Sequence, residues 1–249
     1  MAIASSPLFL RLLLLLAWLL AVAGVALAVN RSRKTSGDTG DEASREAAVG
    51  RPEAVRKVVH IGTGNIILLA WWLQIPMWVG VGASGVASTI TLLSYWQPLL
   101  PVIDSVGRRS FGTVFYSLSI GLLIALFWSL GQPEYAAIGV LVMAWGDGLA
   151  ALVGQRWGKH PYKILGMTKS WEGSLAMAVA SGLVTYGVLS VAGLEAVGLG
   201  LRVAVAVAIA LLATLLEAVS FLGVDNLTVP LCSAIAAWQL LHWLQGGLS

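Results

Sequence analysis

Residues 135–153 read Tyr-Ala-Ala-Ile-Gly-Val-Leu-Val-Met-Ala-Trp-Gly-Asp-Gly-Leu-Ala-Ala-Leu-Val, apolar throughout except for one carboxylate, Asp147. A helix needs about 20 predominantly apolar residues to cross a bilayer, and this stretch has that length. It therefore reads as a membrane helix with an acid inside it. A carboxylate in that setting is costly, and where one occurs it usually marks a functional site.

Working outward, comparable apolar runs occupy 12–29, 58–75, 77–95, 113–130, 175–194, 201–222 and 227–244. The second and the last are short, 18 residues each. The chain is 58% apolar and 11% charged, against roughly a quarter charged in soluble domains. We expect an all-α, polytopic integral membrane protein of about eight transmembrane helices, or seven if a short run does not cross. The single cysteine, Cys232, lies in an apolar run; it excludes an intrachain disulfide and a cysteine metal cluster, and reads as a small buried hydrophobe.

The net charge of +3 does not point to nucleic acid, because its distribution has a better explanation. All lysines and arginines except Arg11 and Arg202 fall in three connecting regions: 31–57, the Arg108-Arg109 loop, and 156–169. Positive residues collect on the cytoplasmic side of membrane proteins, and alternating the helices puts all three regions on one side. Arg11, a leucine-rich core and Ala26-Leu27-Ala28 have the look of a secretory signal, but the basic segment that follows favours an uncleaved anchor. The expected organisation is an anchor over 1–29, a flexible cytoplasmic linker over 30–56 rich in acids and small polar residues, and a catalytic transmembrane domain over 57–245.

The polar residues inside or beside the runs carry the candidate chemistry. Asp147, Ala151, Gly154 and Gly158 recur at helical spacing, which gives a carboxylate followed by a track without side-chain bulk. A phosphate chain or a neighbouring helix can approach such a track closely. Next comes Lys169-Ser170-Trp171-Glu172-Gly173 before an apolar helix. Ser170 suits the N-cap and Glu172 complements the helix dipole, whereas Lys169 has no structural reason in sequence and suits phosphate oxygens at a helix N-terminus. Arg56-Lys57-Val58-Val59-His60 sets a basic pair one turn below His60. Glu217 lies near the inner end of the seventh run, and Asp225-Asn226 opens the eighth. Asp147 and Glu217 are carboxylates from two different helices, a donor set suited to a divalent metal bridging nucleotide phosphates.

These four pieces, in this order and ending with Pro230, resemble the membrane-bound group of phytol kinases, dolichol kinases and CTP-dependent transferases, with the phytol kinases of photosynthetic organisms nearest. The resemblance covers roughly 54–235 and leaves out the anchor and linker. It implies transfer of the γ-phosphoryl group of CTP to the primary alcohol of a long isoprenoid, phytol first among them, with Mg2+ required and a role in phytol salvage toward tocopherol. It further implies a multi-pass protein of a bacterial or photosynthetic membrane with a cytoplasmic site. On it, Asp147 and Asp225 face magnesium, Lys169 and Lys159 face phosphates with Ser170, Glu172, Gly154 and Gly158, and Lys57 and His60 support them. Glu217 serves either as a third metal ligand or as the base that orients the prenyl hydroxyl.

Two rivals are weighed against this reading. A CTP:phosphatidate cytidylyltransferase shares the Asp-to-Lys-Ser-x-Glu-Gly region, but its longer polar carboxy-terminal stretch is replaced here by the short 217–230 segment. A small transporter would spread its intramembrane acids along an ion path, whereas here the polar groups gather at one face.

Overall fold

The protein is described here by a computed structural model covering residues 7–35, 51–96, 111–192 and 197–246. At its centre stands the helix that contains the opening stretch. It comprises α6 (Pro133–Leu141), a wider π-helical segment (Val142–Asp147) and α7 (Gly148–Trp157). Proline at its first turn presets the helical φ and gives up an N–H that would have been unpaired there anyway. From Tyr135 to Ala144 every residue is buried, as expected of a helix that is apolar on all sides. Its small residues let neighbours come close: Gly139 lies directly against the carbonyl of Pro230 and the methyl of Ala234.

Around this hub lie α1 (Leu8–Thr35), α2 (Arg51–Gly64), α3 (Ile66–Trp72), α4 (Met77–Trp96), α5 (Gly112–Ser129), α8 (Trp171–Val191), α9 (Leu199–Ala218) and α10 (Asp225–Gly246). The central helix, α1, α4, α5, α8, α9 and α10 are long and apolar enough to cross a membrane, seven spans among the described residues. Together they make an all-α polytopic membrane protein. The second apolar run does not count among the seven, because it is divided at Asn65 into α2 and α3.

The division has a local cause. Gly62, Thr63, Gly64 and Asn65 are all weak helix formers. Thr63 Oγ1 turns back to donate to the carbonyls of Val59 at 2.7 Å and His60 at 3.2 Å, and Tyr116 Oη donates to the same His60 carbonyl at 2.8 Å. Even so, α2 and α3 run antiparallel along α1 for most of its length. Trp18 Nε1 reaches the Gly62 carbonyl at 2.8 Å, and Arg11 at the other end donates to the carbonyls of Leu73 and Gln74.

Two sequence expectations are corrected, and one element is added to the sequence reading. Helix α1 continues to Thr35 and α2 begins at Arg51, so helix occupies both ends of the expected 30–56 linker; 36–50 and the Arg108-Arg109 loop lie outside the described residues. The added element lies between α7 and α8, where β1 (Pro161–Ile164) and β2 (Met167–Ser170) form an antiparallel hairpin with Tyr162 opposite Lys169. Its turn places both Leu165 (φ 48°) and Gly166 (φ 79°) in the left-handed region, as a two-residue type I′ turn requires, and a leucine there hides the usual signal. Cys232 is exposed on α10, not buried: the apolar run says that a residue suits the bilayer, not which face of the helix it occupies.

The two ends of the bundle differ. One gathers Arg11, Gln74, Trp128, Gln132, Trp238 and His242. The other gathers Lys57, His60, Asp147, Lys169, Glu217 and Asp225, together with the hairpin.

Candidate functional site

Asp147 closes the π segment and is paired with Lys57 of α2. The pairing follows from antiparallel packing of α2 on the central helix, with Ile61 against Gly148 and Gly64 against Ala144. Lys57 is only 3% exposed, so its charge is taken out of water and requires this partner. His60, one turn further along α2, places Nε2 3.5 Å from the same Asp147 carboxylate, and its ring lies 4.1 Å from that of Tyr116. That Nε2 is buried and has no hydrogen-bond partner among the described residues.

A second pair stands beside the first. Lys169, at the end of β2, reaches both the carboxylate and the backbone carbonyl of Glu217 in the last turn of α9. This supplies the structural reason that its sequence lacks: a cation at a helix C-terminus meets the negative end of the helix dipole. Asp225 opens α10, with its N–H donating to Ser220 Oγ at 2.7 Å and its carboxylate accepting from Asn226. It lies within electrostatic reach of Asp147, Lys57 and Lys169, and Glu217 within reach of Asp147 and Asp225. Residues from α2, the central helix, β2, α9 and α10 thus converge. The turn before α10 lets them do so, since Gly223 (φ 82°) sits where a Cβ would come 2.6 Å from the Gly112 Cα at the start of α5.

Other expectations change. Gly154 and Gly158 do not offer an open track: a Cβ on either would meet Ser170 Oγ, at 3.1 and 2.9 Å, and Gly173 fits against the Ala150 carbonyl. They form the seam that seats the start of α8 on α7, so we assign them no phosphate contact. Ser170 is the N-cap, accepting the Gly173 N–H at 3.1 Å. Glu172 lies in the first turn of α8 but also holds His160 at 2.6 Å, a contact created only by hairpin closure and without any signal in sequence spacing. Lys159 is exposed. Tyr116 and Ser220, not singled out from sequence, hold His60 and Asp225 in place; hydroxyls at the inner ends of neighbouring helices are the only hint that could have found them.

Among the described residues, no three His, Cys, Asp or Glu side chains come together to hold a metal ion, so Asp147, Asp225 and Glu217 do not form a ready-made three-ligand site. Lysines stand on two of the three. Magnesium, however, is commonly held by one or two carboxylates with phosphate oxygens and water completing the shell. Asp147 and Asp225 are hard oxygen donors of that kind within electrostatic reach of one another, and the buried His60 Nε2 beside Asp147 has no hydrogen-bond partner among the described residues.

Comparison with known proteins gives the arrangement its context. The chain is 56% identical over 187 residues to the phytol kinase of Synechocystis sp., covering 75% of this chain and 78% of that one. The chain belongs to the phytol kinase family. Plant relatives are more distant: a farnesol kinase of Arabidopsis thaliana is 31% identical over 212 residues, and phytol kinase 1 of the same plant 27% over 207. Each covers about three quarters of this chain, which spans 65% of either. No family model and no solved structure matches the chain. As a phytol kinase family member it is a phosphotransferase, and a cluster of buried cations and carboxylates at one end of a membrane bundle is a setting in which charged groups can be moved.

Proposed function

We propose that this family member transfers the γ-phosphoryl group of CTP to the primary hydroxyl of a long isoprenoid alcohol, phytol in the first place, giving the prenyl monophosphate and CDP. The observation that carries the reading is the pair of ion pairs, Lys57 with Asp147 and Lys169 with Glu217, at one end of a bundle whose sides face lipid. Phosphoryl transfer asks a protein for positioning and charge neutralisation more than for covalent chemistry. Both lysines already hold carboxylate oxygens, and phosphate oxygens are the same kind of acceptor.

Asp147 and Asp225 would hold Mg2+, which when bound neutralises nucleotide phosphates. Lys57 and His60 keep the Asp147 carboxylate aimed. Lys169 binds a phosphate oxygen, and Glu217, freed of its partner, accepts the hydrogen bond of the prenyl hydroxyl and orients it. An uncharged alcohol suits that carboxylate, whereas the phosphate of phosphatidate would be repelled. The site faces the cytoplasm, where CTP is available, as the arginine and lysine distribution supports. The product enters phytol salvage toward tocopherol.

The test uses isolated membranes, γ-labelled CTP and phytol. Label moving into an organic-soluble prenyl phosphate, with an equal amount of CDP, and loss of transfer on chelation with recovery on adding magnesium, supports the proposal. Consumption of phosphatidate with label leaving as pyrophosphate overturns it.

A further inference from the structure

The wide turn of the central helix is held between two neighbours. Ala144 lies against Gly64, Gly148 against Ile61, and Asp147 meets Lys57 and His60, so most of this stretch faces α2. Gly146 turns the other way, onto Met177 and Ser181 of α8. Trp145 reaches the surface: 36% of it is exposed, although Val142, Met143, Ala144 and Gly146 are buried. Its indole Nε1 donates to Asn65 Oδ1 at 2.9 Å. Asn65 is the point at which α2 gives way to α3, so the wide turn of one helix is bonded to the break in another.

Local structure does not call for this bond. Asparagine is among the preferred N-cap residues, and Asn65 stands at the N-cap of α3, yet its side chain makes no capping bond. Trp18 and Trp128 give their N–H groups to backbone carbonyls, whereas Trp145 reaches a side chain on another helix. What the bond can fix is the tilt of α2. Lys57 lies eight residues before Asn65, about 12 Å along a helix. A tilt of about 10° at the break would carry Lys57 roughly 2 Å across that lever. That is enough to part it from Asp147, and a buried ion pair is favourable only in good geometry. We propose that Trp145 and Asn65 are positioning residues for phosphoryl transfer: their hydrogen bond locks the break after α2 to the wide turn and so holds Lys57 and His60 on Asp147. The proposal rests on the reading of Asp147 as part of the phosphoryl-transfer site.

Two variants separate the bond from the fold. Trp145→Phe removes the N–H and keeps an aromatic ring, and Asn65→Val removes the acceptor while leaving a weak helix former at the break. With the purified enzyme in lipid nanodiscs, γ-labelled CTP and phytol, each should lower kcat by about tenfold or more. KM for CTP and for phytol should stay within about twofold, since neither residue touches a substrate. The double variant should lose no more than the worse single one, and in a Lys57→Met background neither substitution should lower kcat further. A second measurement does not depend on the reaction: the coupling between Lys57→Met and Asp147→Asn in a double-mutant cycle of unfolding should fall by about half or more when Trp145→Phe is added. Unchanged kcat, additive losses, losses undiminished in the Lys57→Met background, or an undiminished coupling would overturn the proposal. If the unmodified enzyme transfers nothing from CTP to phytol while the coupling still falls, the substrate reading fails and the positioning role stands. Should Trp145→Phe not fold, Asn65→Val takes its place in both measurements.

Discussion

Both ends of the bundle hold side chains that need polar partners, and they find them in opposite ways. At the Gln132 end, side chains close on neutral acceptors: Trp238 Nε1 donates to Gln132 Oε1 at 2.8 Å, Trp128 Nε1 to the Ile75 carbonyl at 3.0 Å, and Arg11 to the Leu73 and Gln74 carbonyls just past α3. These acceptors lie in turns or at helix ends, so the contacts tie neighbouring segments. At the Asp147 end, lysines and carboxylates from segments as far apart as 57 and 147, or 169 and 217, are paired while largely withdrawn from water. Buried ion pairs contribute little net stability, because desolvation offsets their attraction, so an end built from them is better explained by use than by stability. The first end fastens the fold; the second holds charges that fastening does not call for.

The comparison fails outright if the two ends do not lie on opposite sides of the membrane. In a Cys232→Ser background, cysteine at Thr168 in the hairpin should react with a membrane-impermeant thiol reagent only after the cytoplasmic face is opened, and cysteine at Gly198 only from outside. The expected contrast is all or none, and labelling of both from one side breaks it. Gly198 is chosen because a Cβ there meets nothing within 4 Å.

The next largest effect is expected at Asp147. Asp147→Asn should lower turnover by about 10²- to 10³-fold, the scale of losing a preorganised charge at a reacting centre. It should also destabilise the protein by about 3–5 kcal/mol, since the carboxylate paired with the buried Lys57 is removed. Adding Lys57→Met should recover the thermal midpoint and not the turnover. Recovery of both would make the pair structural and erase the difference between the ends.

Lys169→Met is expected to reduce turnover about 10- to 100-fold, in line with ~1.5–3 kcal/mol for a hydrogen bond to a charged group, with KM for CTP rising. An unchanged KM would confine Lys169 to fastening α9. The smallest effect belongs to the opposite end, where Gln132→Ala should lower stability by about 1 kcal/mol by thermal denaturation and leave KM and turnover as they were. A turnover defect there would show that the fastening end takes part in the reaction.

Much of this division is legible in the sequence. Apolar runs of membrane length with all but two of the lysines and arginines in three connections specify the helices and their alternation, and Asp147 announces itself as an acid where none is expected. Which lysine serves which acid is not legible: Lys57 and Lys169 are both near helix ends, and only the packing of α2 on the central helix and of the hairpin on α9 assigns them. The break at Asn65 needed Tyr116, contributed by a distant helix, as well as its own weak helix formers. The hairpin was hidden because Leu-Gly is a poor turn signal, and with it went the contact between His160 and Glu172. Gly154 and Gly158 misled in a physical sense, since absence of a side chain marks close approach without saying what approaches.

The π segment also places a demand on the phase of the central helix, apart from its composition. A wide turn holds one residue more than the α-helix would at the same place. If Val142–Asp147 closed to α geometry with every residue kept, everything on one side would rotate by about 100° relative to the other. Asp147 would then swing away from Lys57 although no residue of the cluster had been replaced. A conservative substitution at Val142 or Met143 is a local matter of packing, whereas closing the wide turn is a change of phase, and a chain that keeps this arrangement is obliged to keep that turn wide.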